Sequence, residues 1–175
     1  MTDAIFEAVW ASASVPLRDA MDLAYLTGQR PADALKMTEH DIIDGHLIVT
    51  QEKTKQPPRI KIIGQLATLL DRIKARKAGC KVKTAALLVN LNGKRLTAPA
   101  LRAQFDKART AAAVAVPDLA EEIKQMWFYD LRAKAADDTA DDLGDQAASN
   151  LLGHENVQTT RRHDLRRGKI VALTK

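Results

Sequence analysis

A single cysteine, Cys80, stands in the 175 residues, so no disulfide staples the fold, and no Cys/His group has the spacing of a zinc site. No apolar run approaches the ~20 residues that a bilayer-spanning helix needs, and the opening Met1-Thr2-Asp3-Ala4 lacks the basic start of a secretory signal. These absences predict a cytoplasmic protein with no membrane partner, and nothing in the sequence calls for a cofactor. Internal repeats, low-complexity linkers and breaks in composition are also missing, which predicts one domain over residues 1–175. What is present is ordinary for a globular chain of this length: 46% hydrophobic residues against 28% charged, enough of each for a core and a solvated surface. A net charge of +5 and a pI near 9.4 permit a polyanionic partner.

Apolar residues recur at three- and four-residue spacing from Ile5 to Ala11 and from Leu17 to Leu26, which predicts two packed helices. Ser14 suits the N-cap of the second and Gly28 its stop. Pro31 fits the first turn of a helix over Ala32 to Met37, where the N–H it lacks would have no partner anyway, and Arg30 then stands at the helix entrance. The period changes through Asp41-Ile42-Ile43, Asp44-Gly45 and Leu47-Ile48-Val49, the pattern of a hairpin, with a third strand over Arg59 to Ile63. The turn between the last two strands, Glu52 to Pro58, carries Lys53 and Lys55. Helical spacing returns from Gln65 to Lys77 and stops at Gly79. After Leu87-Leu88-Val89 and an Asn92-Gly93 turn, Thr97 and Pro99 open another helix through Leu101, Phe105 and Ala108.

Beyond Pro117 the pattern predicts an extended segment through Ile123 and a helix over Leu131 to Ala136. The acidic run Asp137 to Asp142 reads as a polar loop. It lacks the spacing of an EF-hand, and no metal site is assigned to it. Helices over Gln146–Leu152 and Val157–His163 follow, then a basic tail with Arg166, Arg167 and Lys169. The fold class is α+β, predominantly helical, with a small antiparallel sheet.

Five segments stand out: Thr27-Gly28-Gln29-Arg30-Pro31, Lys53-Thr54, Phe128-Tyr129-Asp130-Leu131-Arg132, Leu151-Leu152-Gly153-His154, and Thr159 to His163. Together they resemble the catalytic domain of the tyrosine recombinases, most closely the phage integrases. Breaking and rejoining a phosphodiester without metal requires cations around its non-bridging oxygens. Arginine suits that task, because its planar fork donates two hydrogen bonds at once and stays charged at any working pH. The resemblance implies that Arg30 and Arg132 clamp the phosphate, that Lys53 protonates the leaving 5′-hydroxyl as a general acid, and that His154 and Tyr129 donate hydrogen bonds. Read alone, the same residues have plainer uses. The arginines could be ion-paired surface groups, Lys53 a solvated charge, His154 a cap on the preceding helix, and Asp130 a helix-start acid.

Two positions depart from the family pattern. Tyr129 stands three residues before Arg132, where many members have histidine, and it carries no positive charge near neutrality. His163 stands nine positions after His154, the spacing at which the family has its nucleophilic tyrosine, and the chain's tyrosines are Tyr25 and Tyr129. Lys55 occupies a place where the family often has glycine. An imidazole can attack phosphorus, but its arm is shorter and its P–N bond labile, so the expectation is an impaired or inactive enzyme.

The resemblance covers essentially the whole chain and implies double-stranded DNA as the partner, with a homo-oligomer assembled on it. Lys55, Arg161, Arg162, Arg166 and Arg167 are candidates to track the DNA backbone. Family members normally carry a core-binding domain before the catalytic one. This sequence begins at the catalytic part, so weak DNA affinity is expected of it. Two other readings stay open: a non-catalytic DNA-binding or regulatory remnant, and a helical interaction module with no nucleic-acid role.

Overall fold

The structure, a computed structural model, describes residues 1–50, 57–154 and 156–166. It opens with α1 (Asp3–Ala11) and α2 (Val15–Thr27), followed after a sharp turn by α3 (Pro31–Lys36). Thr2 caps α1 through its hydroxyl, which accepts from the Ile5 N–H at 3.4 Å. Ser14 precedes α2 as expected, but its hydroxyl instead donates to Gln104 at 2.7 Å, tying the start of α2 to a later helix. Gly28 ends α2 at φ 65°, a left-handed conformation that glycine adopts without steric cost. A side chain there would also crowd Leu152, whose Cδ2 lies 3.0 Å from the position a Cβ would take.

Strands β1 (Ile42–Ile43), β2 (His46–Ile48) and β3 (Arg59–Lys61) form an antiparallel sheet in the order β1-β2-β3. Asp44 and Gly45 turn the first hairpin with φ 49° and 72°, the positive values that a two-residue turn of this hand requires. Leu47 pairs with Ile42 on one side and Ile60 on the other and is fully buried. The sheet therefore packs through β2. The expected lysine turn, with Lys53 and Lys55, lies outside the described residues.

Helix α4 (Gly64–Ala78) sets Leu66, Leu69 and Ile73 against the core and clamps α2 by charge. Arg76 and Arg72 both reach Asp19, at 2.6 and 2.9 Å, and Asp19 is completely buried. The chain then turns through Gly93 into α5 (Ala98–Ala115), whose first turn is capped by the Thr97 hydroxyl on the Ala100 N–H at 3.4 Å.

Two expectations fail beyond Pro117. The segment predicted as extended is a 3-10 turn over Pro117–Leu119 followed by α6 (Ala120–Gln125). Its Leu119, Ile123 and Met126 are spaced by four and three, so a helix puts them on one side; Ile123 and Met126 are buried there. The acidic run is likewise no loop, because α7 extends over Asp130–Leu143. Ala133, Ala136 and Ala140 supply its buried stripe, again at spacings of three and four, and Lys134 bridges Asp138 across one turn at 2.8 Å. Charge on the outer face concealed a small-residue inner face. Helices α8 (Asp145–Leu152) and α9 (Val157–His163) follow, with Gly153 ending α8 at φ 70°. Among the described residues no helix is long and apolar enough to cross a membrane.

Candidate phosphate site

Arg132 lies in the first turn of α7 and is only 1% exposed. Its guanidinium joins three helix ends. Nη1 donates to the Gly28 carbonyl at 2.7 Å, where α2 stops, and Nη2 donates to the Leu152 carbonyl at 3.2 Å, where α8 stops. Helix C-termini carry partial negative charge, so two of them facing one cation is a favourable arrangement. Nε donates to Asp164, the residue after α9, at 3.2 Å. Burial pushes the Arg132 guanidinium below its ordinary value, the nearby Arg30 cation pushes the same way, and Asp164 opposes both.

Nη2 of Arg132 also lies 2.9 Å from Nε2 of His154. Arginine has only N–H to offer, so Nε2 accepts and the imidazole proton sits on Nδ1, an assignment from the network. Nδ1–H then donates to the Thr160 hydroxyl at 2.9 Å, with Asp164 Oδ2 at 3.7 Å. Burial holds the His154 imidazole below its ordinary value; Asp164 counteracts this, while Arg132, Arg30 and His163 add to it. In this arrangement the neutral ring accepts from Arg132 through Nε2 and donates to Thr160 through Nδ1, and it does not cap the helix. The capping is done by the backbone, where the His154 N–H reaches the Ser149 carbonyl at 3.0 Å.

Arg30 is the N-cap residue of α3, as its place before Pro31 requires, and its side chain is 40% exposed with Asp33 at 4.0 Å. Tyr129 is the N-cap residue of α7 and exposed, near enough to Arg132 to influence its charge. His163 closes α9 with an exposed side chain within electrostatic range of His154. The fold thus brings Arg30, Tyr129, Arg132, His154 and His163 to one place from four parts of the sequence. Asp130, as expected, is a helix-start acid, accepting from the Trp127 N–H at 2.7 Å.

The basic residues near the C-terminus divide. Arg161, Arg162 and Arg166 are all exposed; Arg161 reaches Asp145 at 2.6 Å and Arg166 reaches Asp130 at 2.7 Å, so those two are held by acids of neighbouring helices. Lys53, Lys55 and Arg167 lie outside the described residues. No group of three His, Cys, Asp or Glu side chains among the described residues converges as a metal site.

Sequence reasoning missed Asp164, Thr160 and Gln29. Asp164 is 3% exposed and Thr160 fully buried. Gln29, also buried, donates to the carbonyls of Thr27 and Leu151 at 2.7 and 3.0 Å, fastening the turn before Arg30 to α8. An acid in a basic tail was the one available signal for Asp164; Gln29 and Thr160 lie inside the family-like segments, where no role was assigned to them.

A mostly helical domain with a three-stranded antiparallel sheet, and arginines from α3 and α7 meeting a histidine beyond α8, defines the class of the DNA breaking-rejoining catalytic domains. The phage integrase family model matches residues 2–164, and the chain belongs to that family. It is 30% identical over 157 residues to the integrase of Escherichia phage HK022, covering 87% of this chain and 42% of that protein. The chain thus spans less than half the length of that relative. The fold matches the lambda integrase catalytic core with a TM-score of 0.71 at 25% identity, covering 88% of this chain and 94% of that one. It also matches a lambda integrase dimer bound to a COC' core site, with a TM-score of 0.73 at 26% identity, over 98% of this chain and 49% of that one.

Proposed function

We propose that the chain is an integrase catalytic domain, acting in the cytoplasm, that holds a phosphate of double-stranded DNA against Arg30 and Arg132. Its ancestral reaction is site-specific strand exchange through a covalent 3′-phosphoprotein. The observation that carries this is the convergence of Arg30, Arg132 and His154: Nη2 of Arg132 lies 2.9 Å from Nε2 of His154, and the Arg30 cation is close enough to disfavour positive charge on both. Two fixed cations stabilise the charge that develops on a five-coordinate phosphorus, which is the main demand of metal-free phosphoryl transfer. Lys53 serves the leaving 5′-oxygen, and Tyr129 contributes a phenolic donor at the rim.

His163 occupies the place of the nucleophile, and the chain as it stands forms no stable covalent adduct with DNA. A tyrosine phenolate can attack phosphorus and later depart again, which keeps the joined state reversible; the imidazole arm is shorter and its phosphoramidate hydrolyses. The chain is then a DNA-binding domain whose chemistry is silenced at one position. Its affinity alone is weak, nearly independent of duplex sequence, and falls steeply with salt, because lysine and arginine contacts to phosphate release counterions. The lambda relative seen as a dimer on a core site supports assembly of copies on DNA.

A nicked suicide duplex at low salt tests the proposal with the unchanged chain, His163→Tyr, and His163→Tyr combined with Tyr129→His. The expected result is no adduct from the first and a gel-stable adduct from the tyrosine variants. An acid-labile adduct from the unchanged chain that disappears in His163→Ala would show histidine working as nucleophile and overturn the assignment.

A further inference from the structure

Arg132 is enclosed, and its partners differ in how easily they can leave. The Gly28 and Leu152 carbonyls belong to the backbone at helix ends and cannot withdraw without unwinding α2 or α8. His154 is fixed by the bond from its backbone N–H to the Ser149 carbonyl in α8. Asp164 is different. It is an anion, it follows the seven-residue α9, and its carboxylate offers the guanidinium the same oxygen acceptors that a phosphate would.

We infer that Asp164 is an internal anion that closes the guanidinium site, and that a DNA phosphate gains Arg132 only when the end of α9 carries Asp164 away. The inference rests on the phosphate-site reading above. Asp164 Oδ1 lies 3.2 Å from Nε of Arg132 and Oδ2 lies 3.7 Å from Nδ1 of His154, so one carboxylate spans the arginine and the histidine beside it. The Arg132 side chain is left with no solvent exposure. A second contact fastens the closure: the Arg166 N–H donates to Asp137 at 2.9 Å and its guanidinium to Asp130 at 2.7 Å, pinning the segment after α9 onto α7. Both acids and Arg132 belong to α7, so latch and site share one helix. A charge-assisted bond formed within the chain competes with every external anion at no loss of translational freedom.

The test uses the full chain, Asp164→Asn, and Asp118→Asn as a control that removes an exposed acid of equal charge. Duplex affinity is measured at one low salt concentration, and inorganic phosphate is titrated while the Arg132 Nε–H resonance is followed by NMR. Asp164→Asn should bind duplex at least about ten-fold more tightly than the unchanged chain, since apparent affinity scales with the fraction of open sites. Its Arg132 signal should shift at phosphate concentrations that leave the unchanged chain's signal still. Asp118→Asn should do neither. An Arg132 signal that responds equally in the unchanged chain overturns the closure while leaving the phosphate site in place, and equal tightening by Asp118→Asn reduces the effect to net charge. A signal silent in every protein removes the phosphate reading itself. If Asp164→Asn fails to fold, amide exchange in the unchanged chain decides. Saturating phosphate should speed exchange over residues 160–166, and unaltered exchange alongside a shifted Arg132 signal refutes the closure.

Discussion

Replacing Arg132 by alanine is the most severe test of the site's architecture. The substitution strands the Asp164 carboxylate, 3% exposed, and removes the donor from the Gly28 and Leu152 carbonyls and from His154 Nε2. Removing one partner of a buried ion pair costs ~3–5 kcal/mol. The lost carbonyl bonds overlap with that figure, so ~4 kcal/mol is the working value, or about 8–16 °C in melting temperature for a chain of this size. Asp164→Ala alone removes one charge-assisted bond and leaves Arg132 its carbonyls, which places its effect at ~1–3 kcal/mol. The double variant should lose less than the sum, with a coupling of ~1.5–3 kcal/mol, because no stranded carboxylate remains. Urea unfolding at pH 7, followed by far-UV circular dichroism on all four proteins, measures each leg of the cycle. An additive double variant, or a loss below ~1 kcal/mol for Arg132→Ala, would mean that the guanidinium does not join the three helix ends.

The α2–α4 clamp makes a second stability prediction: Asp19→Ala should cost ~1.5–3 kcal/mol, since Arg72 keeps Asp22 and Arg76 keeps the Val89 carbonyl, and a change under ~1 kcal/mol in a urea titration would contradict the clamp. The third concerns acid. Burial holds the His154 imidazole below its ordinary value of 6.5, so the unfolded chain binds its proton first. Stability from this group is fully present above about pH 6.5 and declines as pH falls from there through the lowered folded value. Stability curves for the unchanged chain and His154→Gln, measured between pH 7.5 and 5, should therefore diverge on the acid side, and parallel curves would rule out the half-buried neutral imidazole.

The helices that were legible in the sequence are those whose apolar residues are large. α2, α4 and α5 bury Leu, Ile, Met or Phe at helical spacing, and the pattern is unmistakable. α7 was misread past Ala136 because its buried side is alanine, which leaves aspartates to dominate the composition. The segment before Trp127 was misread for a related reason: one fully buried isoleucine in a short helix is too small a sample to reveal a period. The site residues were legible only through their flanking motifs, since an isolated arginine carries no sign of what it will meet 104 positions away, as Arg132 meets Gly28. Asp164 showed only as an acid in a basic tail, because its role depends on tertiary placement. Gly28 and Gly153 were readable as helix stops, yet their positions beside Arg132 appear only when α2, α7 and α8 are packed.

The two ends of the proposed chemistry differ sharply in their tolerance of mutation. Position 163 is exposed at the end of a seven-residue helix, so exchanging its side chain leaves the packing undisturbed. Arg132 has no such latitude, since three helices would lose their common joint. Drift in a domain of this shape can therefore extinguish the reaction at the rim while selection for folding alone preserves the arginine at the centre. Among related sequences, the arginine diagnoses an intact scaffold, and under the proposed mechanism the residue at the end of α9 diagnoses whether that scaffold cuts DNA.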